Sequence, residues 1–311
     1  MHRRLIINAD DFGLTRGVNR AIAEAHTRGL VTSSTLMAAS AGFDDAVALA
    51  KANPKLSVGC HVTLTDGDPV SSPALIGTLI EPNGTPAVLT RRLVPFIARA
   101  LRGQLSHDQL RTEIGAQIAK LQAAGVAVSH VDTHKHTHIF PAIFKPLLEA
   151  ARERGVRAVR NPFGALKPLA FAHLMRRPRL WTRYTEVGLL RGFAAGFRRA
   201  VEDAGMVTTD GSFGIVGTGA LDEKLFEAII GCLPEGTWEF VCHPGYCDAD
   251  LLSLRGRLRQ SRERELQVLT SPRAREVLEN KGVELISYRD LLSSEHAGWQ
   301  TESAGWKLTS N

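Results

Sequence analysis

The sequence predicts a single-domain α/β fold, an irregular, TIM-barrel-like (β/α) barrel carrying a basic helical insertion. Two observations predict it. Short apolar, β-branched runs alternate with helical patterns six or seven times along the 311 residues, the signature of a parallel sheet with covering helices. Asp10, Asp11, His61, His134, Arg160 and His243 all stand at or just past the carboxyl end of such a run. A closed or nearly closed sheet brings that many strand ends to one face, where an open sheet would spread them along an edge. The domain is expected over residues 1–292, with 163–205 as the insertion and 293–311 as a flexible tail.

The elements follow in chain order. Residues 4–9 form a short buried-strand run that ends in Asp10-Asp11-Phe12-Gly13, and a helix with Val18, Ile22 and Ala25 at helical spacing runs to about Gly29. Residues 33–38 read as the second strand, Phe43 to Ala52 as a helix stopped by Asn53-Pro54, and residues 56–64 as the third strand. The Gly/Pro/Ser/Asp content of residues 66–86 marks a loop too long for a simple connection, with the character of a substrate-side flap. Helical patterns cover 90–103 and 107–124. The alternating run 126–131 is the fourth strand, followed by a helix over 141–154 that opens on Pro141. Further strands are expected at 156–160, 213–216, 237–243 and 283–287, with a helix starting near Leu221 and a charged helical stretch over 258–281.

Composition narrows the class. An apolar share of 44% and a charged share of 23% belong to an ordinary globular protein. The net charge of +6 favours an acidic partner only where the charge is concentrated. Cys60, Cys232, Cys242 and Cys247 form no C-x-x-C pair, which fits a reducing compartment. The N-terminus reads as neither signal peptide nor spanning helix. The expected location is the cytoplasm or the inner face of a membrane.

The chemistry centres on Asp132-Thr133-His134-Lys135-His136-Thr137-His138, three histidines and an aspartate within seven residues. Histidines at alternate positions of extended chain point the same way and offer a metal one or two imidazoles; a histidine-rich polar loop is the plainer reading. Adjacent carboxylates at a strand end, Asp10-Asp11, can divide labour between binding a cation and acting as base, and they equally suit a helix N-terminus. His61, alone on its strand, suits a structural histidine as well as a ligand. One aspartate and two histidines together make a three-ligand site with open positions, the catalytic pattern. Cys60 and Cys242 precede site histidines on strands and are expected to point away into packing. Arg160 is suited to orienting a carboxylate by a bidentate pair or to a surface salt bridge. His243, ahead of Pro244-Gly245, is suited to general acid or to structural bonding.

Asn8-Ala9-Asp10-Asp11-Phe12-Gly13, the isolated His61, Asp132 to His138, and Cys242-His243-Pro244-Gly245 resemble, in that order over roughly residues 3–290, the YdjC-like carbohydrate deacetylases. The resemblance implies a distorted barrel that removes acetyl from N-acetylated sugars with one divalent metal ion, zinc or magnesium. It implies Asp11, His61 and His134 as ligands and Asp10 as the base. The wider resemblance to NodB-type polysaccharide deacetylases implies His243 as the acid and Arg160 as support for Asp10. His136 and His138 are left between substrate contact and support of the ligands. Gly17-Val18-Asn19-Arg20 and Val31 to Ala38 are most similar to a branch associated with hopanoid biosynthesis, which implies an N-acetylglucosaminyl bacteriohopanetetrol lipid as substrate. Soluble chitooligosaccharides are the alternative.

Residues 163–205 hold eight basic side chains (Lys167, Arg176, Arg177, Arg179, Arg183, Arg191, Arg198, Arg199) against three acidic ones, interleaved with Trp181, Tyr184 and aliphatic residues. That composition suits contact with anionic lipid and equally a solvated helical insertion. No nucleic-acid motif accompanies it. Two further classes stand as rivals: a metal phosphoesterase, which would want more carboxylates and a second metal, and a non-catalytic membrane-associated sugar-binding protein.

Overall fold

A computed structural model describes residues 2–82, 86–164, 191–215 and 217–293. Along the chain run β1 (Arg3–Phe12), α1 (Arg16–Thr27), β2 (Ser33–Leu36), α2 (Phe43–Ala52), β3 (Ser57–Val62), α3 (Leu93–Leu101), α4 (His107–Ala123), β4 (His130–Thr133), α5 (Pro141–Glu153) and β5 (Ala158–Val159). They are followed by α6 (Ala194–Asp203), β6 (Gly211–Phe213), α7 (Glu223–Gly231), β7 (Gly236–Cys242), α8 (Ala249–Ser253), α9 (Gln260–Thr270), α10 (Pro272–Asn280) and β8 (Val283–Ile286). The strands form one parallel sheet in the order β5-β4-β3-β2-β1-β7-β6, with β8 paired to the first half of β1. The two ends of the path approach each other where Ala158 bridges Val207 and the Ser212 amide donates to Phe163 O at 3.1 Å. The sheet is therefore curled round on itself as a barrel, as the sequence predicts.

Alternation along β1 sorts its side chains. Leu5, Ile7 and Ala9 join the main core under the helices, while Ile6 faces a second cluster with Ala158, Ile286 and Tyr288 inside the sheet. Asn8 and Asp10, two and four residues on, share the inner face with Ile6. The barrel interior thus passes from apolar at the strand starts to polar at the strand ends, which is the gradient a site at the carboxyl face needs. Cys60 and Cys242 are buried, Cys60 in the main core and Cys242 with its thiol towards Asn8 O. Burial, more than the nearby carboxylates, pushes both thiols up.

Several elements depart from the sequence reading. The fourth strand lies at His130–Thr133 rather than 126–131, because the chain first meets β3 where the Ser129 amide donates to Val58 O. The charged stretch 258–281 is two helices, broken where Ser271 caps α10 and Pro272 takes its first turn. The expected flap is anchored: Glu113 of α4 accepts from the amides of Val70 and Ser71, both at 2.9 Å. Of the basic segment 163–205, residues 165–190 lie outside the described residues, as does the tail from 294. The described end, α6, is part of the core: Phe197 is buried and stacks on Phe144 with ring centroids 4.2 Å apart. Among the described residues, no helix is long and apolar enough to cross a membrane.

Candidate active site

The adjacent pair Asp10-Asp11 would normally point to opposite faces of β1. The pairing with β2 shows why it does not: Ala9 pairs with Ser34 and Phe12 with Leu36, so three steps on β1 match two on β2. That extra residue is a β-bulge, which re-aims side chains at a strand end. Asp11 takes the left-handed φ of 67° there, a conformation aspartate tolerates better than most residues. The next turn is fixed by Asn19, which accepts from the Gly13 amide at 2.7 Å and donates to Gly42 O and Asp45. Both carboxylates consequently serve the same end of the barrel.

Asp11, His61 and His134 meet there. Asp11 Oδ1 lies 3.4 Å from His61 Nε2 and 3.3 Å from His134 Nδ1, and the two imidazole nitrogens are 3.3 Å apart. Bonds of ~2.05 Å at a tetrahedral angle place ligand atoms roughly 3.3 Å apart, so this triangle fits a first-row divalent ion capping one face. His61 is held for that task by Asp132, whose carboxylate takes the other ring nitrogen at 2.7 Å. Burial would lower the His61 pKa, but the charges of Asp132 and then Asp10, with hydrogen bonds from Asp11 and Asp132, push it up to about 10. The same negative field favours a cation. A second acidic group, Asp10, His61 and Asp132, also lies within ligand spacing. Its carboxylates are already matched by Arg160, and its imidazole nitrogen by Asp132, so the first triangle is the metal candidate.

Arg160 sits at the centre of the barrel mouth, fully buried. Its guanidinium grips Asp10 with both terminal nitrogens, at 2.9 and 2.6 Å, and reaches Asp132 at 2.5 Å and Glu239 at 2.9 Å. Burial alone would raise Asp10; the Arg160 charge, with His61 and His243, holds it well below the usual carboxylate range. Glu239 is displaced upward because burial outweighs Arg160. Tyr288 donates to Glu239 at 2.7 Å and stacks on His130. His243 Nε2 lies 3.8 Å from Asp10 Oδ2, and its backbone amide donates to Glu265 at 2.6 Å.

The histidine-rich segment differs from the extended chain expected of it. Residues 134–139 form a tight 3₁₀ turn with Lys135 and His136 left-handed, at φ 58° and 53°. Only His134 reaches the triangle. His138 turns inward, fully buried, with Nδ1 2.6 Å from the Thr133 hydroxyl. His136 lies between, and burial with the Arg160 charge lowers it to about 3, so its ring is neutral. Lys135 pairs with Asp66 of the flap at 3.0 Å. Buried polar atoms are normally bonded; His136 Nδ1, His243 Nδ1 and Arg262 Nη1 have no partner among the described residues.

Every sequence-predicted site residue lies at this mouth. Sequence reasoning missed Asp132 as the support of His61, Glu239 and Tyr288 beneath Arg160, and Arg262, whose Nη2 binds Asp11 Oδ2 at 2.5 Å. A charged cavity of about 630 Å³, lined by His2, Arg4, Asp210, Glu235, Gly236 and Glu284, opens at the opposite end of the strands. None of the groups above reaches it.

The chain's similarities cover this whole framework. The sequence pattern of a family described as YdjC-like protein matches residues 4–280. A carbohydrate deacetylase of Brevibacillus brevis is 32% identical over 288 residues, covering 93% of this chain and 99% of its own. A chitooligosaccharide deacetylase of Yersinia enterocolitica is 32% identical over 296 residues, covering 93% and 100%. A crystal structure from Enterococcus faecalis V583, of a protein named for cellobiose-phosphate cleavage, superposes with a TM-score of 0.76 at 25% identity, covering 94% of this chain and 99% of that one.

Proposed function

The chain belongs to the YdjC-like family, and from that premise we propose that it is a metal-dependent hydrolase removing the acetyl group from an N-acetylglucosamine unit. The observation that carries the reading is the 3.3–3.4 Å triangle of Asp11, His61 and His134 beside the Arg160-held Asp10. Relatives about one-third identical over nearly the whole chain are named carbohydrate deacetylases, which supports the acetamide as the bond broken.

Asp11, His61 and His134 would hold a divalent ion, which would supply Lewis acidity towards the acetamide carbonyl and its attacking water. Asp10 takes the proton of the attacking water. Its low basicity is a consequence of the Arg160 fork, which keeps it ionised and aimed. His243, 3.8 Å from Asp10, gives a proton to the departing nitrogen, because an amide anion is a very poor leaving group. Arg160 orients Asp10 and Asp132 together. Neutral His136 lines the substrate side, and the fully buried His138 supports the turn.

The acetylated sugar is read as part of a hopanoid glycolipid, N-acetylglucosaminyl bacteriohopanetetrol, with peripheral contact to anionic membrane. The support is the similarity over Gly17–Arg20 and Val31–Ala38 and the basic composition of 163–205. Those two runs build α1 and β2, and Thr35 among them touches Asp10, His61 and Asp132. They serve the acetamide end of any substrate, so a second reading, deacetylation of soluble chitooligosaccharides, is favoured by the name of the Yersinia relative. Acetate release by the zinc- or magnesium-loaded protein from the glycolipid in vesicles and from soluble oligomers separates the two. Turnover of the oligomers alone rejects the lipid reading; release of phosphate from phosphate esters, or sugar binding without turnover, rejects the deacetylase.

A further inference from the structure

Arg262 lies on the first turn of α9, inside a run of charged residues with nothing to mark it in the sequence. Its side chain is buried, its Nε donates to Leu258 O at 3.3 Å, and its Nη2 holds Asp11 Oδ2 at 2.5 Å. That contact engages the carboxylate oxygen that faces away from the imidazoles; Oδ1 is the one 3.3–3.4 Å from His134 and His61. Arg262 is itself held from several directions. Its carbonyl accepts from the Gly245 amide, Glu265 one turn later accepts from the amides of His243 and Gly219, and Glu263 accepts from that of Cys247. The helix therefore ties the strand end bearing His243 to the bulge bearing Asp11.

We infer that Arg262 is a positioning residue for the metal site: it locks Asp11 so that Oδ1 alone faces the two histidines. The inference rests on the reading of Asp11, His61 and His134 as ligands. Asp11 needs such a restraint because its left-handed backbone persists only where surroundings over-determine it, and a carboxylate free to rotate would offer either oxygen or both. The opposing effect is electrostatic. A nearby guanidinium repels a cation, so removing it would strengthen binding if charge dominated. The buried, directional bond to the far oxygen makes orientation the larger effect.

Gly245 gives an independent handle. A Cβ there would lie 2.9 Å from Arg262 Cδ and 3.1 Å from Val18 Cγ2, while the Gly245 backbone is not left-handed. Alanine would thus displace Arg262 without changing any charge. The glycine of His243-Pro244-Gly245 is in this view a space left for the arginine.

The test titrates Co²⁺ alone into the full-length metal-free protein against a chelating indicator and records the visible spectrum of the loaded form. R262Q and R262K are expected to bind Co²⁺ ~10–100-fold more weakly with altered spectra. G245A is expected to alter the spectrum in the same direction with a smaller loss. R264Q, an equal charge change on the exposed side of the same helix, should match wild type. Tighter binding by R262Q, or wild-type affinity and spectrum in R262Q, overturns the inference. Should R262Q not fold, R262K and G245A decide it by the same criteria. Failure of the wild-type protein to take up one Co²⁺, or uptake undiminished in H61A, would instead overturn the ligand assignment itself.

Discussion

Every side chain that converges on the candidate cation position comes from the first half of the chain: Asp11 from β1, His61 from β3 and His134 just past β4. The charged groups packed around them come, apart from Asp10 and Asp132, from the second half: Arg160 after β5, Glu239 on β7, and Arg262 and Glu265 on α9. The halves differ in kind as well as origin. The first presents converging ligand atoms, while the second supplies the guanidinium that answers Asp10, Asp132 and Glu239. The difference teaches that ligation and restraint are separable here, and that variants in the two halves should fail in different ways.

The largest effect belongs to the ligand half. His61→Ala should abolish stoichiometric metal uptake and lower turnover by on the order of 10³-fold or more, since Lewis-acid stabilisation contributes several kcal/mol at ~1.4 kcal/mol per tenfold. The same imidazole sets a pH dependence. Held up to about 10 against burial by Asp132 and Asp10, His61 is protonated in the metal-free protein at pH 8 and must lose that proton to bind an ion. Affinity should therefore rise about tenfold per pH unit up to about pH 10, and calorimetry in buffers of different ionisation enthalpy should count one proton released. No proton release at pH 8 would mean that His61 does not ligate.

Asp10→Asn probes the boundary between the halves, one residue from a ligand but held by Arg160. Turnover should fall ~10²–10⁴-fold, with metal affinity within about tenfold of wild type. Loss of the metal in D10N would merge the two functions and sink the separation. Arg160→Gln attacks the restraint half at its centre. Removing one partner of a buried ion pair costs ~3–5 kcal/mol, and here three carboxylates lose their counter-charge, so the melting temperature should drop by on the order of 10 °C. A folded R160Q of wild-type stability would contradict the role assigned to that guanidinium.

The same division explains what was legible in the sequence. Strand-end position, clustered histidines and an isolated His61 mark the ligand half, because those residue types are uncommon in such places. The parallel sheet and most elements were legible from periodicity. Arg262, Glu265 and Glu239 were not: an arginine and glutamates in a charged helical or strand pattern look like a solvated face until packing buries them. The Asp10-Asp11 bulge was equally hidden, since one extra residue in a register appears only when β1 is laid against β2. The facing of the histidines in the turn after β4 was hidden for a related reason. Alternation predicts shared facing only in extended chain, and Lys135 and His136 are left-handed.

Lys135 gives the smallest and most diagnostic change, because it joins the ligand half to the flap and, among the described residues, makes no ion pair with the restraint half. Its ion pair with Asp66 is partly exposed, a class of contact worth ~0–1 kcal/mol. Lys135→Asn retains a residue that accepts the left-handed backbone and deletes only that pair. Stability should therefore move by less than about 1 kcal/mol, metal affinity should not change, and KM should rise no more than about threefold at constant kcat, as expected when a contact supports binding equally in ground and transition states. A fall in kcat of tenfold or more in K135N would show that the flap reaches the reacting atoms through this bridge. The restraint of the site would then extend into the first half of the chain, and the division drawn from Arg160 and Arg262 would have to be redrawn to include residues 66–86.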